Sequence, residues 1–317
     1  MKELYPASEP YAVHRIAVTY PHELYVEECG NPDGLPVVFL HGGPGSGCSA
    51  DHRRYFDPEF YRIILFDQRG SGRSLPVGET EKNRTLDLVN DMEVIRRYLE
   101  VERWMLFGGS WGATLALIYG QTHPDRLLGM VLRGVFLARE RDLEWFFSGL
   151  RCLFPQEWEK FSQGLPFAEP ADLIAAYYHR IHCDDRELSL NSARAWSEWG
   201  SRVVSWNLAG QPARSDSGSD QMRLLAKARV ETHYAQHRYF IGNNQILERV
   251  TSLPQIPVSV VHGRFDLTCT MESAWLLHQA VPDFNLIVVP GAGHLMNEPA
   301  MVSALVQEID RMRWLLS

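Results

Sequence analysis

Gly108-Gly109-Ser110-Trp111-Gly112 is the stretch from which the rest of this chain can be read. It has the form G-x-S-x-G. The apolar run Trp104–Phe107 before it is of strand type, and Ala113–Gly120 after it starts as a helix. A sharp strand-to-helix turn forces strained backbone angles on the serine, and small flanking residues relieve the crowding. The hydroxyl is lifted clear of the sheet, and the backbone N–H groups of the helix start face it. Ser110 is therefore a candidate nucleophile rather than an inert serine in a glycine-rich turn.

A serine hydroxyl is a weak nucleophile until a base takes its proton. Of the twelve histidines, His294 stands in Pro290-Gly291-Ala292-Gly293-His294, just after the strand run Asn285–Val289. The base needs a carboxylate to fix its tautomer and stabilise its charged form. Asp266 stands in His262-Gly263-Arg264-Phe265-Asp266, just after the strand run Ile256–Val261. Loops at the C-terminal ends of strands are where α/β proteins place chemistry. Serine, acid, histidine is also the chain order of the α/β-hydrolase fold. The oxyanion formed on attack needs donors. The N–H of Trp111 is one. Gly43, in His41-Gly42-Gly43-Pro44-Gly45 after the strand run Val37–Leu40, is the candidate for the other, with Gly42 not separable from it.

Outward from this centre, Val13–Tyr20 and Leu24–Cys29 read as an antiparallel pair, Tyr61–Phe66 and Leu127–Leu132 as buried strands, and Leu86–Leu99 as an amphipathic helix. Alternating strands and helices predict a mostly parallel sheet with helices on both faces. The rhythm breaks between about 136 and 240. That stretch is rich in Trp, Phe and Tyr. It carries helical signals at Leu143–Leu150, Asp172–Ile181, Ala193–Trp199 and Leu224–Arg229, with a loop at Gln211–Ser219. The expected organisation is an α/β core over residues 1–135 and 241–317, interrupted by a helical cap over residues 136–240.

Composition narrows the function classes. The 317 residues are 45% hydrophobic and 22% charged, with a net charge of −8, and no run of Lys and Arg suggests a nucleic-acid surface. No stretch has signal-peptide or membrane-span character. Cys29, Cys48, Cys152, Cys183 and Cys269 form no CxxC pair, so reduced thiols and a cytoplasmic setting are expected. The spacings His179/His182 and His233/His237 lack an evident third ligand, so no metal site is expected.

The combined motifs resemble the prolyl iminopeptidase (proline aminopeptidase) family. The resemblance rests on His41–Gly45, Asp67-Gln68-Arg69-Gly70-Ser71-Gly72-Arg73-Ser74, Gly108–Leu115, Val131-Leu132-Arg133-Gly134, His262–Asp266 and Gly291–His294. It implies release of N-terminal proline from peptides under a helical cap, with no metal or organic cofactor. It also implies that cap carboxylates hold the substrate's cationic amine. Glu231 matches one of them. The other falls where the family has a Trp-Glu pair and this chain has Trp199-Gly200, with Glu198 alongside. Arg133 and Phe136 match residues near the family's substrate pocket, and Phe136 with Phe146 would wall an apolar proline site.

The expected substrates are small peptides or amino-acyl amides and esters. Two other readings stand beside the aminopeptidase: an esterase or amidase with the same triad and no need for a free amine, and a non-catalytic binding protein on a hydrolase scaffold. The serine at the elbow excludes an enzyme with an aspartate nucleophile.

Overall fold

The short apolar runs bounded by Gly and Pro become strands of a single sheet. The computed structural model describes residues 1–165, 170–206 and 218–317. The strands are β1 (Ala12–Ala17), β2 (Glu23–Gly30), β3 (Leu35–Leu40), β4 (Tyr61–Phe66), β5 (Trp104–Gly109), β6 (Leu127–Arg133), β7 (Val258–Gly263) and β8 (Asn285–Val289). They lie in the order β1-β2-β4-β3-β5-β6-β7-β8. β2 runs antiparallel to both β1 and β4, and every other pair is parallel.

Alternate residues of the central strands feed two cores. Val38, Leu40, Leu106 and Leu132 face one side, whereas Val37, Phe39, Phe107 and Val131 face the other. All six residues of β5 and of β7 are buried. This is why their sequences lack polar alternation. The first face is covered by α1 (Thr85–Tyr98), α2 (Trp111–Thr122) and α9 (Met271–Ala280), and the second by α10 (Pro299–Leu315). α8 (Gln245–Glu248) is a single turn.

Register sets the site. Leu40 pairs with Gly108, Gly109 with Arg133, Arg133 with Val261, and Gly263 with Val289. The parallel strands thus end along one line, and the loops carrying Gly43, Ser110, Asp266 and His294 open on the same edge of the sheet.

Between β6 and β7 the chain leaves the sheet. The described residues between 136 and 240 hold no strand. They form α3 (Glu140–Phe147), α4 (Pro155–Ser162), α5 (Pro170–Ile181), α6 (Arg186–Val204) and α7 (Gly218–Gln236). The loop expected from Gln211 lies outside the described residues as far as 217, and α7 starts at Gly218. The aromatic richness is this segment's own core: Phe161 stacks on Tyr177 at 4.6 Å and on Trp199 at 5.3 Å, and Phe147 lies 5.1 Å from Trp196. Its ties to the sheet domain are both apolar and polar, the Trp111 ring lying 4.9 Å from that of Tyr234. Trp145 Nε1 donates to Leu267 O at 2.8 Å, Trp206 Nε1 to Phe265 O at 2.9 Å, and Tyr234 Oη to Asn83 Oδ1 at 2.9 Å. The start and end of the excursion meet, with the Phe136 and Tyr239 rings 4.9 Å apart. No helix among the described residues is long and apolar enough to cross a membrane.

Candidate active site

Ser110 sits between β5 and α2 with φ 56° and ψ −122°, a left-handed conformation in a non-glycine residue. Two hydrogen bonds hold the turn: Ser110 N donates to Arg133 O at 2.9 Å, and Ala113 N donates to Ser110 O at 2.9 Å. The neighbouring glycines are needed for approach. A β-carbon at Gly112 would overlap the carbonyl oxygen of Leu40, and one at Gly109 would lie 2.5 Å from the Arg133 guanidinium.

Asp266 and His294 are directly joined, with His294 Nδ1 2.7 Å from Asp266 Oδ2. The other carboxylate oxygen accepts from Thr268 N at 2.9 Å and Cys269 N at 2.8 Å. Burial pushes the Asp266 carboxyl up, but the charge and hydrogen bond of His294, with His262 and the Cys269 N–H, hold it below the ordinary carboxylate range. An ionised Asp266 favours the proton on Nδ1 and leaves the Nε2 lone pair free to accept one. The histidine loop is pinned from two sides. Glu298 accepts from Gly293 N and Leu295 N, and Arg133 Nη1 donates to His294 O at 2.7 Å. Ser110 Oγ is turned towards Cys269 Sγ at 3.9 Å, and no hydrogen bond joins it to His294. Catalytic hydrogen bonds are often long or unaligned before substrate binds.

The candidate oxyanion donors lie beside Ser110. Trp111 is the first residue of α2, so its N–H has no intrahelical acceptor. A β-carbon at Gly42 would lie 3.4 Å from Ser110 Cβ, and both Gly42 and Gly43 line the cavity. Gln68 staples the two donor segments together. Gln68 N donates to His41 Nε2, Gln68 Nε2 to His41 O, and Trp111 Nε1 to Gln68 Oε1, each at 2.9 Å. Burial lowers the pKa of His41, so it stays neutral and accepts this bond. In the sequence Gln68 stands within the Asp67–Ser74 motif. Its signal was its place after a strand beside the catalytic edge.

These groups open on a cavity of about 430 Å³. Ser110 and His294 form its floor, Phe136, Phe146 and Tyr239 its wall, and Glu231 from α7 and Gly200 from α6 its roof. Glu231 Oε2 accepts from Trp196 Nε1 at 3.0 Å, and Lys227 Nζ lies 3.6 Å from Oε1. Gly200 faces open space, with nothing within 4 Å of a β-carbon there. Glu198 points out to solvent and does not replace the missing carboxylate. Arg133 lines the cavity, with Nη1 bonded to His294 O and Nε buried without a hydrogen-bond partner. Cys269 is held neutral beside Ser110 by burial and by the Asp266 charge.

Of the rival histidines, His182 faces Arg229 O at 3.2 Å, His233 bonds Asn83 O at 3.1 Å, and His237 bonds His233 O at 2.8 Å. Their ring nitrogens serve packing between α5, α7 and the core. No group of three or more His, Cys, Asp or Glu among the described residues is placed to hold a metal ion.

Comparison with known proteins bears on this arrangement. Residues 36–300 match the model of the alpha/beta hydrolase fold family. The chain is 46% identical to a probable proline iminopeptidase of Leptolyngbya boryana, across 98% of this chain and 97% of that one. It is 43% identical to a proline iminopeptidase of Arabidopsis thaliana, across 99% and 83%. Among solved structures, a proline iminopeptidase-related protein of Thermus thermophilus superposes with a TM-score of 0.63 at 22% identity, across 98% and 99% of the two chains. At that identity the last likeness speaks for the fold alone.

Proposed function

Because the chain belongs to the proline iminopeptidase family of the α/β-hydrolase fold, we propose that it releases N-terminal proline from peptides through an acyl-enzyme on Ser110. It is a hydrolase and a prolyl aminopeptidase, and peptides are its substrates. In the mechanism, Ser110 Oγ attacks the carbonyl of the terminal residue as His294 Nε2 takes its proton. The N–H groups of Trp111 and of Gly43 or Gly42 hold the oxyanion. His294 then gives the proton to the leaving amine, and water repeats the sequence to free proline. Residues 136–240 act as the cap. Phe136 and Phe146 take the pyrrolidine ring, and Glu231 pairs with the ring's ammonium. Arg133 orients His294.

The observation that carries this reading is the 2.7 Å His294–Asp266 pair under the Ser110 turn, on a cavity roofed by Glu231. Ser110→Ala should abolish hydrolysis of proline amide and labelling by a fluorophosphonate. Retained turnover in that variant would sink the mechanism. Glu231→Gln should raise KM for proline amide about tenfold, the worth of one charge-assisted hydrogen bond.

One observation favours the esterase or amidase reading: Gly200 leaves open room beside Glu231 where a neutral group on the substrate nitrogen would fit. Proline amide against N-acetylproline amide decides between them. Equal turnover of the two ends the aminopeptidase reading. Fluorophosphonate labelling of Ser110 would likewise end the reading as a non-catalytic binding protein.

A further inference from the structure

We propose that Tyr239 is a specificity residue of this site, its hydroxyl oxygen accepting the second N–H of the substrate's protonated proline nitrogen while Glu231 accepts the first. The inference rests on the aminopeptidase reading above. An N-terminal proline carries a ring ammonium with two N–H donors, and a donor buried without an acceptor costs binding. Glu231 has limited capacity, since Oε2 already accepts from Trp196 and Oε1 faces Lys227. Asp142 also reaches the cavity, but Arg139 N, Nε and Nη2 and the Ser273 hydroxyl surround it. Gly200 contributes no side chain.

Tyr239 is nine-tenths buried on the cavity wall, and its hydroxyl makes no hydrogen bond. Its ring is fixed by Phe136 at 4.9 Å, Trp111 at 5.4 Å and Tyr234 at 6.2 Å. The backbone that presents it is unusual. Arg238, Tyr239 and Phe240 have φ of 50°, 55° and 54°, three consecutive non-glycine residues in the left-handed region. Such a turn persists only where its surroundings impose it. Here the Thr85 hydroxyl bonds Tyr239 O, and Arg238 pairs with Glu140. Burial first, and then the negative charges of Glu231 and Asp142, hold the phenol protonated far above its ordinary range. The hydroxyl therefore stays neutral, with a lone pair available to an ammonium and a proton available to a carboxylate.

Tyr239→Phe removes the hydroxyl and keeps the ring packing. The test compares kcat and KM of both enzymes on proline amide and N-acetylproline amide, with the rate of fluorophosphonate labelling at Ser110. The expected result is a KM for proline amide raised about tenfold, kcat within about threefold, and a correspondingly lower preference for the free amine. Labelling should not change. An unchanged preference in Tyr239→Phe overturns the role of Tyr239 alone. An equal loss on both substrates, or slowed labelling, assigns the residue to packing and overturns it too. A wild-type enzyme with no preference for the free amine overturns the aminopeptidase reading and this role together.

Discussion

The Asp266 carboxylate has no solvent exposure and accepts from Thr268 N, Cys269 N and His294 Nδ1. Asp266→Asn keeps the shape but puts an N–H2 donor where His294 Nδ1 needs an acceptor, which favours the wrong tautomer. kcat on proline amide should fall by about 10³- to 10⁴-fold with an unchanged circular dichroism spectrum. At this scale the sequence was informative wherever chemistry depends on chain order. Ser110, Asp266 and His294 each follow a strand, stand in the order serine, acid, histidine, and start from a G-x-S-x-G turn. Tyr239 was not legible in the same way, and of Gln68 only its place after a strand was. Gln68 acts through three hydrogen bonds to segments far away in the chain, and Tyr239 through a left-handed turn that no local residue pattern announces.

Among the elements, the β5–α2 turn is held in place by β3. The Gly112 backbone passes against Leu40, so Gly112→Ala sets a methyl group against a carbonyl that cannot yield without moving the strand. It should destabilise the protein by about 1–3 kcal/mol and remove activity, as read by urea unfolding and proline amide turnover. Gly200→Ala is the contrasting case. Its β-carbon meets nothing in the middle of α6, and alanine loses less backbone entropy in a helix. A gain of about 0.5–1 kcal/mol is expected from the same unfolding measurement. The buried strands were readable as unbroken apolar runs. α9 was not anticipated, since only one side of it is covered and Trp275 stays half exposed on the other, which blurs the helical period. α6 proved longer than its apolar signal, because Asp185 caps it with bonds to Glu187 N and Leu188 N.

The whole molecule responds to acid through histidines buried between its parts. Burial, followed by the His237 charge, pushes His233 down to about 4. Burial likewise lowers His182 to about 4 at the contact between α5 and α7, and His52 to about 4 beside the active-site edge. The unfolded chain takes up these protons near 6.5, so between about 6.5 and about 4 it binds more protons than the fold does. Stability is full above that window and falls as pH drops through it. The urea midpoint should decline from pH 7 to pH 5, and His233→Gln should reduce the decline. The two ends of the excursion between residues 136 and 240 meet, where Phe136 and Tyr239 touch. A segment whose ends already meet adds little closure entropy when its length changes, about 0.6 kcal/mol per doubling. Exchange of the segment over the cavity should therefore cost little closure entropy. Chimeras that graft another member's segment between these two aromatic residues should keep fluorophosphonate reactivity at Ser110 while taking on the donor's choice of substrate.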